Sequence, residues 1–156
     1  MYIVGIDPGA KGAVCVYEPL SRYIKFVDLD KTTWEDLVFY LSTCSISHVF
    51  VEQVRSLPGM SAKSNFSFGY NIGQLDTALE LAGLSPIKVL PKVWQRVVGV
   101  SIPSKTNSRD RKLITADRCL ELFPDAEIYG PKGGLKDGRS DALLIAHYGY
   151  LLTEED

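Results

Sequence analysis

The sequence predicts an α/β fold: a mixed sheet, with a three-strand antiparallel meander followed by parallel strands, flanked by helices on both faces. Three observations carry this expectation. Short apolar runs separated by turn residues open the chain, the apolar spacing lengthens to a helical period from Trp34, and strand-like and helix-like segments alternate beyond it.

Tyr2 to Asp7 reads as a buried strand closed by the turn Asp7-Pro8-Gly9. Ala13–Tyr17 and Tyr23–Leu29 follow as strands on either side of Pro19 and Ser21. Thr33 with Asp36 three residues later is a capping-box signal, and Trp34, Leu37, Val38 and Leu41 form one buried helical stripe. His48–Glu52, rich in Val and Phe, is a fourth strand. Ile72, Leu75, Leu79 and Ala82 keep helical spacing up to Gly83, a C-cap residue, so a long helix runs from about Asn65. Pro86–Leu90 is a fifth strand. Pro91 starts a short helix bearing Val93, Trp94, Val97 and Val98, and a polar loop from Ser101 to Ser108 follows. Ser108 caps a helix with Leu113, Ala116, Leu120 and Phe123 on one face, ended by Pro124. A Gly-rich loop, Gly130 to Gly138, precedes a terminal helix reaching about Leu152. The order β-β-β-α-β-α-β-α-α joins the meander to a parallel pair through right-handed crossovers. The three-strand opening and the lack of a GxGxxG motif set it apart from a Rossmann order.

With 156 residues, 46% of them hydrophobic, and a net charge of -2, the chain reads as one domain over 1–156. A chain of this length buries roughly two-thirds of its unfolded surface without a disulfide or metal scaffold. The longest apolar stretch, Ala142 to Leu152, contains His147 and falls short of the roughly 20 residues of a membrane span. The opening MYIVGIDPG has no basic region or long apolar core of a signal peptide, so the chain reads as cytoplasmic. Cys15, Cys44 and Cys119 lack CxxC spacing and read as reduced, buried thiols. Charge is segregated: residues 1–52 sum to -3, residues 53–118 to +6 and residues 119–156 to -5. The middle third offers an anionic partner a docking face, although solvated helix faces are often basic too.

Asp7 ends the first strand and Glu52 the fourth, which would bring two carboxylates to one crevice at the strands' carboxyl ends. Asp137 and Asp141, four residues apart at the start of the terminal helix, share a face that can point there too. Four carboxylates in one poorly solvated place repel, and divalent metal is the usual remedy. Oxygen ligands without nearby His or Cys favour Mg²⁺ or Mn²⁺ over zinc. Two such ions, ~3.5–4 Å apart, clamp the attacking and leaving oxygens of a phosphodiester, which implies hydrolysis of a nucleic-acid backbone. Each acid also has a plain structural reading: Asp7 suits a turn before Pro8, Asp137 an Asx-turn before Gly138, and Asp141 a helix N-terminus. Glu52 gains nothing obvious at the end of an apolar strand, and the joint placement of all four is what points to a site.

Between Glu52 and the second helix, Arg55 and Lys63 flank a stretch containing Phe66, Phe68 and Tyr70. Aromatics beside basic groups suit base stacking and strand wedging, whereas a staple beneath the following helix would equally account for any one ring. Lys105, Arg109, Arg111 and Lys112, with Lys88, Lys92 and Arg96, are placed to track phosphates, and several of them would be merely solvated.

Together these residues resemble a known family. GIDPG around Asp7, VEQV around Glu52 and DGRSDALLIAHYG around Asp137 and Asp141 resemble the RuvC-like Holliday junction resolvases of the RNase H-like superfamily. LPGMSAKSNFSFGYNIG, PKVWQRVVGV and RKLITADRCLELFP also stand in family order, and the likeness leans to the short branch carried by bacteriophages. GIDPG alone also opens sugar-kinase and actin-like ATPase domains; the ordered set of three acidic motifs is the specific part. The resemblance implies an RNase H-like sheet and a homodimer that binds four-way DNA junctions and makes paired symmetrical nicks in opposing strands. It implies Mg²⁺ as cofactor, two ions per active site with Mn²⁺ able to substitute, and a role in recombination and branch removal. It further implies Asp7 as the metal-bridging carboxylate and Glu52 and Asp141 as ligands. Many members carry the remaining acid three residues before the last Asp, where this chain has Gly138, and Asp137 is the substitute. Phe66 to Tyr70 resembles the loop that enters the junction centre, with Arg55 and Lys63 as strand contacts.

Other readings share parts of this pattern. A broader flap or fork nuclease, or an RNase H-like enzyme cutting the RNA strand of a hybrid, would have the same acidic centre. A nucleotide-binding actin-like module would need a second phosphate loop and an adenosine-binding half, for which 156 residues leave no room. A catalytically dead junction-binding scaffold would have no physical reason to keep four repelling acids.

Overall fold

The computed structural model describes residues 1–56 and 58–154; Leu57, within the LPGM motif, and Glu155 and Asp156 lie outside the described residues. The strands are β1 (Tyr2–Asp7), β2 (Ala13–Glu18), β3 (Tyr23–Asp28), β4 (Ile46–Glu52) and β5 (Ile87–Val89). The helices are α1 (Trp34–Thr43), α2 (Ala62–Leu81), α3 (Pro91–Val98), α4 (Ser108–Leu122) and α5 (Asp137–Glu154). One sheet in the order β3-β2-β1-β4-β5 combines the antiparallel meander of β1, β2 and β3 with parallel pairing of β1 to β4 and β4 to β5. This is the mixed sheet the sequence predicts.

Alternation along the central strands sorts side chains into two cores. Val4, Ile6, Val14, Val16, Val49 and Val51 face Leu37 and Leu41 of α1 and Leu75 and Leu79 of α2. Ile3, Cys15, Tyr17 and Phe50 face Trp94 of α3, Ala116 and Cys119 of α4, and the apolar run Ala142–Ala146 of α5. Helices therefore cover both faces, and β1 and β4 are buried on both sides, which accounts for their near-continuous apolar character.

On the second face α5 lies directly on the sheet. A Cβ at Gly5 would overlap the Ala142 carbonyl oxygen and the Ala146 backbone nitrogen, so the absence of a side chain at mid-β1 is what admits the helix. A Cβ at Gly149 would likewise overlap the Phe50 ring. Arg139 pins the helix start. Its Nε and Nη2 each donate to an Asp28 carboxylate oxygen at 2.8 Å, and its Nη1 donates to the Glu127 carbonyl at 2.8 Å. This fork-on-carboxylate pair holds Asp28 below its usual pKa and ties the first turn of α5 to the end of β3.

Most boundaries follow the sequence pattern, and the exceptions have local causes. Thr33 Oγ1 accepts from the Asp36 N–H at 3.1 Å, as the capping box predicts. The α4 cap is Asn107 rather than Ser108: its Oδ1 accepts from the Asp110 N–H at 2.9 Å, and its Nδ2 donates to the Asp110 carboxylate at 2.8 Å. Helix α2 starts at Ala62, three residues before the expected Asn65, because the Ser61 hydroxyl caps it by accepting from the Ser64 N–H. Strand β4 begins two residues early, at Ile46, and the expected Pro86–Leu90 strand shortens to β5. The short helix at Pro91 forms and ends on Gly99, whose φ of 79° is the left-handed conformation that glycine adopts freely.

Candidate active site

Strands β1 and β4 run parallel with Ile6 level with Val51, so the next residue on each, Asp7 and Glu52, ends its strand beside the other. Alternation puts Asp7 on the side of Gly5 and Glu52 on the side of Phe50, the face covered by α5. Asp137 and Asp141 stand one turn apart at the start of α5. All four predicted acids are thus brought toward one end of the sheet, and they feel one another. Burial raises the Asp7 carboxyl well above the usual range, and the charges of Asp141, Glu52 and Asp137 add to it. Asp141 is raised well above its usual range by burial first, then by Glu52 and Asp137. The Lys112 ammonium, 3.2 Å from Asp137 Oδ2, opposes both shifts. Among the described residues, no three His, Cys, Asp or Glu side chains stand close enough as positioned to form an ion cage.

Glu52 has a partner the sequence did not reveal. The indole Nε1–H of Trp94 donates to Glu52 Oε2 at 2.7 Å, opposing the rise that burial imposes on this carboxyl. Trp94 is fully buried, and its periodicity marks it only as an apolar position of α3. The available signal was its polar handle, since a buried indole N–H finds an acceptor. Arg139, between the two acids of DGRSD, is a second such residue: it anchors the turn that carries them.

Gly138, where the family pattern places an acid, sits where no side chain fits. A Cβ there would lie 2.8 Å from the Lys11 carbonyl oxygen and 3.0 Å from Gly12 Cα, in the turn between β1 and β2. The acid adjacent to that position is Asp137, one residue earlier.

The predicted nucleic-acid contacts divide into groups. Lys92 on α3, Lys105 in the loop before α4, and Arg109, Arg111 and Lys112 on the first turns of α4 are exposed, and both helices belong to the face that α5 covers. Lys112 is turned to Asp137. Arg55 is exposed after β4, and Lys63 is exposed on the first turn of α2. Phe66, Phe68 and Tyr70 lie within α2 instead of a loop, so none is a staple beneath a following helix. Phe66 and Tyr70, 75% and 61% exposed, stack on each other with centroids 6.4 Å apart. Phe68 is half-buried and leans over Gly9, two residues beyond Asp7. Tyr70 also lines an apolar groove of about 970 Å³ between α1 and α2, with Trp34, Val38, Phe39, Gly73 and Leu81.

No protein-family model and no curated protein matches the chain. Solved structures do. Thermus thermophilus RuvC in complex with a Holliday junction substrate superposes with a TM-score of 0.69 at 16% identity, covering 99% of this chain and 96% of that one. A second Thermus thermophilus RuvC structure gives 0.60 at 18% identity, covering 98% of each chain. Fowlpox virus resolvase, in a complex with Holliday junction DNA, gives 0.52 at 16% identity, covering 97% of this chain and 99% of that one. The chain therefore shares the RuvC-type, RNase H-like fold along nearly its whole length.

Two outcomes follow from this geometry. Gly138→Asp, which restores the acid at the family's spacing, is expected to lower stability by about 2 kcal/mol, or ~4–8 °C in thermal unfolding; an unchanged melting temperature would contradict the packing at Lys11 and Gly12. Asp7→Asn is expected to stabilise the ion-free chain. A carboxyl whose folded pKa is raised favours folding when protonated and costs stability as pH rises through that pKa. Melts in EDTA should therefore place Asp7→Asn above wild type by about 2–6 °C at pH 8, with the gap closing toward pH 4. A variant less stable at every pH would show Asp7 to be a structural residue.

Proposed function

We propose that the chain is a Mg²⁺-dependent, structure-specific endonuclease that resolves four-way DNA junctions by paired nicks, as a homodimer, in recombination and branch removal. The observation that carries this reading is the approach of Asp7, Glu52, Asp137 and Asp141 from β1, β4 and α5 to one end of the sheet, where burial first and the neighbouring carboxylates second raise Asp7 and Asp141. Carboxylates that repel this strongly are poised to accept cations, and an all-oxygen donor set without His or Cys suits Mg²⁺, or Mn²⁺ in its place. Asp7, Glu52 and Asp141, with Asp137 at the rim, would hold two ions. Bound there, the ions would neutralise charge at the scissile phosphate and lower the pKa of the attacking water.

The chain's own groups bind and orient the DNA. Lys92, Lys105, Arg109 and Arg111 offer cations to phosphates from the α3–α4 side, and Arg55 and Lys63 from the α2 side. Phe68, near the turn that follows Asp7, and the exposed Phe66 further round α2 are the rings available to stack on an unpaired base at the branch point. The groove between α1 and α2 is the surface for the second copy: Phe39 and Leu81 are 73% and 71% exposed there, and Gly69 and Gly73 leave the α2 backbone open to close approach. Tyr70 belongs to that surface more than to the DNA. Paired cuts in opposing strands require two such sites held at a fixed spacing, which a two-fold dimer supplies.

End-labelled four-way junction, fork, flap, duplex and RNA–DNA hybrid, incubated with wild type and Asp7→Asn in Mg²⁺ or EDTA, test this reading. Symmetrical Mg²⁺-dependent nicks confined to the junction are expected, falling by at least roughly 10³-fold in Asp7→Asn while junction binding persists. Equal cutting of forks and flaps would contradict junction specificity, and cutting of the hybrid alone would move the enzyme to RNase H-type chemistry.

A further inference from the structure

Glu52 ends β4 beside Asp7 with one of its two carboxylate oxygens already engaged. Trp94 is a donor without acceptor capacity, so the oxygen it meets must remain an unprotonated acceptor. The indole cannot easily swing away. Its ring is fully buried in the core with Val89, Val98 and Val100, and its helix is held at Pro91, at the left-handed Gly99, and by Arg118 Nε donating to the Val98 carbonyl at 2.7 Å. The backbone of Glu52 is held as well: it pairs with Val89 of β5, and the Gln53 N–H donates to the Val89 carbonyl at 2.7 Å. With the backbone held and Oε2 giving one lone pair to the indole, rotation of the carboxylate is restrained and Oε1 is the oxygen with both lone pairs uncommitted by that bond.

We propose that Trp94 is a positioning residue that makes Glu52 a one-oxygen ligand and thereby biases the site toward Mg²⁺ over Ca²⁺. This rests on the metal-dependent nuclease reading above. Mg²⁺ demands near-octahedral coordination at about 2.0–2.1 Å and takes single carboxylate oxygens with water, whereas Ca²⁺ accepts six to eight oxygens and readily takes both from one carboxylate. A Glu52 freed from the indole can rotate and offer both, which adds a ligand that suits the larger ion. Groups that orient a ligand typically change metal affinity by 10–100-fold when removed.

Trp94→Phe keeps a ring in the core and removes the donor. Calorimetric titration of wild type and Trp94→Phe with Mg²⁺ and with Ca²⁺, each protein first shown by its melt to be folded, is expected to raise the Ca²⁺:Mg²⁺ affinity ratio by about tenfold in the variant. An unchanged ratio overturns the role of Trp94 and leaves the nuclease reading standing, whereas a wild type that binds neither ion overturns both. A second measurement keeps Trp94 in place. The chain has two tryptophans, so in a ¹⁵N-labelled Trp34→Phe chain a single indole N–H signal remains. It is expected to move on Mg²⁺ addition and to lose that response in the additional presence of Glu52→Gln. An indole signal that ignores saturating Mg²⁺ overturns the proposal.

Discussion

The site depends on how closely α5 lies against β1. Gly5 in the middle of the strand and Gly149 on the helix remove the side chains that would hold the two apart, and the backbone of α5 at Ala142 and Ala146 settles where the Gly5 side chain would have been. That contact fixes the depth of the helix start and therefore carries Asp141 toward the end of β1, where Asp7 stands. Arg139 sets the remaining freedom, the rotation of the first turn, by clasping Asp28 and the Glu127 carbonyl. Packing and one half-buried ion pair thus determine where the acids meet.

Once they meet, burial and like charge work against the fold. Asp7 and Asp141 are raised by the loss of water first and by their neighbours second, and Lys112 offsets part of the repulsion from the rim. Trp94 acts in the same sense on Glu52, through a hydrogen bond rather than a charge. The place of Asp7 and Glu52 at the carboxyl ends of two parallel strands is where an open sheet leaves room for a ligand. The exposed basic residues of α3 and α4 stand on helices of the face that α5 covers, and Lys63 opens α2 on the other face.

Features governed by local pattern were legible in the sequence. Strand runs ending in Asp7 and Glu52, and the four-residue spacing of Asp137 and Asp141, rest on periods of two and 3.6 that short segments express by themselves. The sheet order followed from the meander and the crossovers. Less legible was the α2 start, because Pro58, Gly59 and a run of serines read as loop, although Ser61 is itself the cap that opens the helix. Asn107 and Ser108 are adjacent residues of equal capping chemistry, and only the backbone decides between them. The bonds from Trp94 to Glu52 and from Arg139 to Asp28 span 42 and 111 residues and leave no local trace. The lack of room at Gly138 is likewise a property of the neighbouring turn and not of the helix that contains it.

The central claim is that these carboxylates form one ion-binding centre because α5 is seated on β1. Anomalous scattering from crystals of the chain grown with Mn²⁺ tests it most directly. Peaks among Asp7, Glu52 and Asp141 are expected, with Asp137 at the edge of the coordination and Gly5 still in contact with α5. Mn²⁺ found only elsewhere on the surface, or these four acids left empty at saturating ion, would contradict the account.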